Sequence, residues 1–143
     1  MEWNDCLRGK VRKRRPNTEE AKALMGMAEK RLEYIGSVQD RKRFPSLVAE
    51  GYYEAIKELV TAMMSAQGYK SYSHECMVSF LSEFYGNISR DEMALIDQMR
   101  KIRNDINYRG FVLNFGYLES NEEGILSLIA KLKGILQGRL LNE

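Results

Sequence analysis

A polar run near the end of a long helical pattern holds residue types that bind phosphate. It reads Arg103-Asn104-Asp105-Ile106-Asn107-Tyr108-Arg109-Gly110, so that an arginine, two amides, an acid and a phenol share about two helical turns. An arginine fork binds two oxygens of a phosphate or phosphodiester at once. Cleavage of a phosphodiester would also need a base, and the run contains no histidine.

The missing base decides what chemistry this run can support. Metal-free RNA cleavage needs a group that accepts the 2′-hydroxyl proton and a cation that stabilises charge on the phosphoryl oxygens. Arg103 fits the second role, and Tyr108 is the candidate for the first. The reference pKa of tyrosine lies ~3.5 units above that of histidine, and the amide of Asn107 does not titrate. We therefore expect a nuclease built on these residues to be slow or inactive.

The same residues also fit a structural role. Arg103 and Asn107 lie four residues apart beside apolar positions, a spacing that suits a buried polar network at a dimer interface. Asp105 and Arg109 have the spacing of an ion pair on a helix surface. Three interpretations stay open at this point: binding of phosphate or nucleic acid, a purely structural network, and catalysis.

The N-terminal segment carries most of the excess positive charge. The first 15 residues hold six basic side chains against Glu2 and Asp5, whereas the remaining 128 residues are slightly acidic. We expect residues 1–16 to form a basic arm that contacts nucleic acid through Arg12, Lys13, Arg14 and Arg15. The alternative is a solvated tail that aids solubility.

Composition and cysteine usage limit the classes to which the protein can belong. A chain of 143 residues is long enough for one domain, which we place at residues 17–143. Apolar runs of the ~18 residues that span a bilayer and the features of a signal peptide are both missing, so we expect a cytoplasmic protein without membrane contact. Cys6 and Cys76 with the single His74 match no zinc spacing. We expect reduced, structural cysteines, no metal and no cofactor.

The apolar periodicity predicts an all-α protein of about five helices. Apolar residues recur at steps of three and four along each predicted helix, and no segment shows sustained alternation. Such a chain most economically forms an up-and-down antiparallel helical bundle. The predicted helices run from Thr18 to Val38, from Pro45 to Gly68, from Ser71-Tyr72-Ser73 to Gly86, from the capping box at Ser89 to Gly110, and from a second capping box at Ser120 onward.

Five segments, taken together in order and spacing, resemble the HEPN superfamily (higher eukaryotes and prokaryotes nucleotide-binding), and in particular its small stand-alone archaeal and bacterial members. The segments are Trp3-Asn4-Asp5-Cys6-Leu7, residues 21–32, residues 51–57, residues 68–75 and residues 103–108. The resemblance implies a helical bundle that forms a homodimer. It also implies an arginine and a later histidine with four to six residues between them, a pair that in active members cuts RNA without a metal.

Carried onto this chain, the signature gives Arg103 and the polar Asn104. Tyr108 stands where the shortest form of the signature places histidine, and the longer forms give Arg109 and Gly110. The resemblance therefore implies binding of RNA or nucleotide around Arg103, Asn104, Asn107 and Arg109, with cleavage weak or lost.

Two alternatives remain from the sequence. One is a metal-independent ribonuclease of the toxin–antitoxin type, in which Tyr108 or His74 replaces the histidine. The other is an interaction module that pairs with a nucleotidyltransferase. For His74 itself, at the predicted start of the third helix, capping or packing is the simpler expectation, and reaching the Arg103 cleft is the alternative.

Overall fold

The predicted all-α helical bundle is confirmed by the computed structural model, which describes residues 1–141. Five long helices follow a short N-terminal helix, and two short strands form the only sheet among these residues. The elements are α1 (Trp3–Cys6), β1 (Val11–Lys13), α2 (Thr18–Gly36), α3 (Pro45–Gln67), β2 (Tyr69–Ser71), α4 (Glu75–Phe84), α5 (Arg90–Arg109) and α6 (Phe115–Leu141).

Helix α3 is the central element of the bundle. It packs against α2, α4, α5, α6 and β2, and buried side chains occur on most of its circumference. Pro45 occupies the first turn, where its missing N–H costs no hydrogen bond. Gly68 ends the helix with φ +98°, and a Cβ there would lie 2.7 Å from the carbonyl oxygen of Arg14. Only glycine fits that close approach.

Helix α5 begins and ends where its local sequence predicts. Ser89 accepts a hydrogen bond from the Glu92 N–H, and the Glu92 carboxylate accepts one from the Ser89 N–H. This reciprocal pair is the predicted capping box. Gly110 ends the helix at φ +64°, and the N–H of the following Phe111 donates to the Asp105 carbonyl at 3.1 Å. The run from Arg103 to Arg109 therefore forms the last two turns of α5.

The predicted start of the last helix at Ser120 is wrong, because α6 begins at Phe115 and Ser120 lies within it. Asn114 supplies the N-terminal contacts instead: its side chain accepts from the Gly116 N–H and its carbonyl from the Tyr117 N–H. Leu118, in the added turn, is fully buried. Burial of this turn outweighs the local capping signal.

The third predicted helix also starts later, at Glu75, because residues 69–71 form strand β2. This strand pairs with β1 in antiparallel register, with Arg12 opposite Lys70. The sequence contains no alternating pattern long enough to predict either strand, since each has only three residues.

The prediction of reduced cysteines is wrong, because Cys6 and Cys76 form a disulfide that joins α1 to α4. Their Cα atoms lie 5.8 Å apart although 70 residues separate them in sequence. Cys76 is therefore not a free nucleophile beside His74.

The N-terminal segment is part of the folded body, which differs from the expected separate arm. Trp3 is 7% exposed and its ring lies 5.2 Å from that of Tyr69, measured between centroids. Cys6 and Val11 are buried as well. Three apolar anchors thus hold residues 1–13 against the bundle, which the count of basic residues did not reveal.

Among the helices of residues 1–141, none combines the length and the apolar character that crossing a membrane requires.

Candidate functional site

The candidate site lies where the last turns of α5 face the middle of α3. From α3, side chains at steps of three and four point toward this face, among them Glu50, Glu54 and Lys57. From α5 come Arg103 and Asn107. Two regular helices therefore position every side chain that contacts Arg103.

Arg103 is held by one edge of its guanidinium. Its Nε donates to Glu54 Oε1 at 3.1 Å, and both side chains are 17% exposed. When the Asn107 amide is oriented to satisfy both of its polar atoms, its oxygen accepts from the same Nε at 3.1 Å and its nitrogen donates to Glu50 Oε2 at 2.8 Å. Glu54 also pairs with Lys57 at 3.2 Å.

The outer edge of the same guanidinium has spare donors. Nη1 makes a long contact of 3.4 Å with Asn104 Oδ1. Within residues 1–141, Nη2 donates no hydrogen bond, and it is not a buried atom lacking a partner. An arginine bound through Nε alone keeps the fork with which it recognises an anion.

His74 lies in electrostatic reach of Arg103, although it precedes Arg103 by 29 positions in sequence and is not part of the signature. It stands just before α4 and makes no side-chain cap. Its Nδ1 lies 3.2 Å from the hydroxyl of Tyr53. Burial lowers the pKa of His74, and the positive charges of Lys57 and Arg103 lower it further, so that the neutral imidazole dominates at pH 7.

Tyr53, which is buried, contacts His74 through its hydroxyl. Burial raises its pKa to about 12, with charges of Arg100, Glu54 and Arg103 acting on it. Its hydroxyl is therefore a proton donor at neutral pH rather than a base. We use the name Arg103 cluster for the side chains that these contacts and charges connect, which are Tyr53, Glu54, Lys57, His74, Arg100 and Arg103.

The electrostatics of the cluster favour anion binding only moderately. Lys57, Arg100 and Arg103 are offset by nearby carboxylates, since Arg100 pairs with Asp97 at 3.0 Å and Arg103 with Glu54. The C-terminal end of α5 adds a partial negative charge. An incoming phosphate would depend on direct hydrogen bonds to the arginine fork more than on a net positive field.

Two residues predicted from the signature lie outside the cluster. Tyr108 is 78% exposed and makes no side-chain hydrogen bond within residues 1–141. Arg109 pairs with Asp105 at 3.6 Å, the surface ion pair that their spacing predicts. Asn104 and Asn107 do contact Arg103.

Sequence reasoning missed the acidic and basic partners on α3. Glu50, Glu54 and Lys57 follow the helical spacing of one face, which is the signal that could have found them. Nothing in the sequence, however, indicates that this face of α3 lies against α5 and not against another helix.

The four basic residues predicted to contact nucleic acid separate into two groups. Arg14 turns inward, pairs with Glu20, and donates to Ser65 Oγ at 3.2 Å. Arg12, Lys13 and Arg15 are exposed. Arg14 therefore has a structural role, which its neighbours do not share.

An open cleft of about 500 Å³ between α4 and α5 adjoins the cluster. Arg100 and Asp97 line it together with Arg90, Glu75 and Ser79. Across residues 1–141, no three histidine, cysteine or acidic side chains are placed to hold a metal ion.

No family model, curated protein or solved structure matches the chain. The resemblance to the HEPN superfamily therefore stays an expectation from the sequence.

Proposed function

We propose that this protein binds RNA or a nucleotide through the Arg103 cluster, as a HEPN-like module that cleaves RNA slowly or not at all. The observation that carries the proposal is the outer edge of the Arg103 guanidinium, whose Nη2 donates no hydrogen bond within residues 1–141 while Nε is fixed by Glu54. A fork fixed on one side loses little side-chain entropy when its free side binds a phosphate oxygen.

The weakness of cleavage follows from the position of Tyr108. The residue that replaces the signature histidine is 78% exposed and shares no hydrogen bond with Arg103 within residues 1–141. The cluster then holds a cation for the phosphoryl oxygens but no base from the signature, so binding without efficient cleavage is the function we favour.

A ribonuclease that uses His74 is the second candidate. The observation that favours it is the lowered pKa of His74 beside Arg103, because a neutral imidazole is the form that accepts a proton. His74 belongs to the Arg103 cluster although it lies outside the signature segment, residues 103–108. The hydroxyl of Tyr53, 3.2 Å from Nδ1, would orient the ring.

Binding and cleavage of a labelled single-stranded RNA test both candidates. We expect Arg103→Gln to weaken binding about tenfold or more, because a charge-assisted hydrogen bond contributes roughly 1.5–3 kcal/mol. Arg109→Gln, which removes the same charge from the exposed side of α5, should change binding about twofold at most. Equal affinities of wild type and Arg103→Gln, with unchanged circular dichroism, would contradict binding at the cluster.

The cleavage arm of the same experiment separates the candidates. Intact RNA after incubation with the wild type supports the binding module. Cleavage that is lost in both Arg103→Gln and His74→Gln supports the ribonuclease and overturns the binding module as the main function.

A homodimer is part of the proposal, and an exposed apolar end of the bundle supports it. Leu47 is 62% exposed, Phe111 46% and Val112 79%, and the Leu113 N–H bonds to Ser46 Oγ, which brings these residues to one end. Light scattering should give twice the monomer mass for the wild type and the monomer mass for Leu47→Glu. If the partner is instead a nucleotidyltransferase, the purified protein alone should be monomeric. In that case the nucleotidyltransferase should co-purify with it from the native source.

The cellular compartment of the protein can be tested through the state of its cysteines. A cytoplasmic location, expected from the sequence, implies reduced thiols, whereas the Cys6–Cys76 bond favours an oxidising compartment. Titration of free thiols in protein from the native source distinguishes the two.

A further inference from the structure

The two short strands collect basic side chains that are distant in sequence onto one face. Arg12 of β1 lies directly opposite Lys70 of β2. The same register continues beyond the strands, where the Tyr72 N–H bonds to the Lys10 carbonyl. Because side chains alternate along a strand, Lys10, Arg12, Lys70 and Tyr72 all project from one face.

This face, which we call the ribbon face (Lys10, Arg12, Lys70 and Tyr72), is turned away from the core. All four residues are exposed, whereas Val11 on the opposite face is 4% exposed. The Lys70 ammonium lies 5.7 Å from the centroid of the Tyr72 ring, and Tyr72 is 61% exposed. The aromatic ring and the cations therefore form one continuous surface.

The three cations of the ribbon face have no acidic partner. Within residues 1–141, Lys10, Arg12 and Lys70 make no ion pair, whereas Arg14 two positions further along is neutralised by Glu20. Three positive charges held close together without a carboxylate repel one another, so an anion that binds across them gains from all three.

The ribbon is fixed to the bundle before any ligand arrives. The disulfide between Cys6 and Cys76 and the burial of Trp3 hold its first strand, and Gly68 and Tyr69 tie its second strand to the end of α3. A surface that is already ordered loses less entropy on binding than a flexible basic tail.

The ribbon face also leads toward the Arg103 cluster. Tyr72 is two residues from His74, which lies within the cluster. A nucleic-acid strand with phosphates bound along the ribbon face could place its next nucleotides at His74 and Lys57. The two surfaces are thus adjacent along the chain, and each carries cationic side chains.

We infer that the ribbon face binds the backbone of a single-stranded RNA, with Lys10, Arg12 and Lys70 on phosphates and Tyr72 stacked on a base. Exposed cations combined with an exposed aromatic ring are what single-stranded nucleic acid requires, because unpaired bases stack on aromatic side chains and duplex bases do not. The inference rests on the proposed function. It deepens that function by naming the ligand as a single strand that extends beyond the Arg103 cluster onto the ribbon face.

The test compares a ribbon variant with a control that removes the same charge elsewhere. Arg12→Gln/Lys70→Gln is assayed against Lys22→Gln/Lys30→Gln, which takes two exposed lysines from α2. The probe is a fluorescein-labelled 12-nucleotide oligouridylate, titrated at several salt concentrations. Each lost phosphate contact lowers the slope of log K against log salt by about 0.7 for a single strand, so we expect a reduction of about 1.4 in the ribbon variant and little change in the control.

Tyr72 provides an independent measurement. Tyr72→Leu should weaken binding by about tenfold because stacking is lost, whereas Tyr72→Phe should bind like the wild type. Equal binding by Tyr72→Leu and Tyr72→Phe, or equal salt slopes for the ribbon and control variants, would overturn the inference. So would a ribbon variant that loses binding to phosphatidylserine vesicles while keeping its affinity for the oligouridylate.

Failure of the inference and failure of the proposed function give different results. If only the ribbon fails, Arg103→Gln weakens binding of the oligouridylate and the ribbon variant does not. If the cluster is not a binding site, the ribbon variant weakens binding and Arg103→Gln does not.

Discussion

Arg103 shows how one side chain can serve structure and binding together. Its Nε donates to the carboxylate of Glu54, a largely buried charge that also pairs with Lys57. The terminal nitrogens are then left for solvent or for a ligand. The paired geometry is therefore compatible with a phosphate site, whereas a guanidinium bound through both terminal nitrogens would not be.

His74 gives a prediction about the pH dependence of stability. Its pKa is lowered in the folded protein, first by burial and then by Lys57 and Arg103. In the unfolded chain the imidazole takes up a proton near pH 6.5. The unfolded state therefore binds more protons between the folded pKa and pH 6.5, and the free energy of unfolding falls as the pH falls through that window.

Urea unfolding of wild type and His74→Gln at pH 7.5 and pH 5 measures the contribution of His74 to the pH dependence of stability. We expect the wild type to lose more stability on acidification than the variant, because the carboxylates are common to both proteins. Parallel losses would show that the environment of His74 does not resist protonation.

The helices differ in how closely their boundaries follow local signals. At α5 the capping box of Ser89 and Glu92 forms as its spacing predicts. At α6 an equally good signal at Ser120 is overridden, because Asn114 caps an earlier start and Leu118 is buried in the added turn. Glu122, which lies inside the longer helix, pairs with Arg41 and accepts from the Tyr52 hydroxyl at 2.8 Å.

A pair of alanine substitutions tests the two boundaries. Ser89→Ala should lower the free energy of unfolding by about 1 kcal/mol, since it removes an N-cap. Ser120→Ala should change it by only a few tenths, roughly within 0.5 kcal/mol, as for an exposed position inside a helix. The measurement is urea unfolding followed by circular dichroism. An equal loss at both positions would place the start of α6 at Ser120 instead.

The molecule as a whole is built around α3 and closed by one covalent link. The disulfide attaches the N-terminal segment to α4 across 70 residues. It holds β1 beside β2 and so assembles the ribbon face. The covalent link and the basic surface therefore depend on the same part of the fold.

Removal of the disulfide should lower the stability of the whole molecule. Closing a loop of this length in the unfolded chain corresponds to roughly 4 kcal/mol in the chain-entropy account. Cys6→Ser/Cys76→Ser should therefore unfold at a lower urea concentration than the oxidised wild type. The wild type in reducing agent should approach the double variant, which itself should not respond. Identical unfolding of oxidised and reduced wild type would show that the bond does not form in solution.

Local interactions explain what the sequence determined by itself. The five long helices, the capping box at Ser89 and the glycine stops at Gly68 and Gly110 depend on residues within about four positions of each other. The surface pair of Asp105 and Arg109 belongs to the same class. Such features can be predicted without knowing how the helices pack.

Only the tertiary structure decided the features on which the proposed function depends. Glu54 meets Arg103 across 49 residues, Cys6 meets Cys76 across 70, and Lys70 meets Arg12 through strands of three residues. Each contact depends on which faces of distant elements pack together, and no local energy fixes that choice. For this reason the sequence indicated an arginine able to bind phosphate, whereas the partners of that arginine and the ribbon face beside it came from the fold.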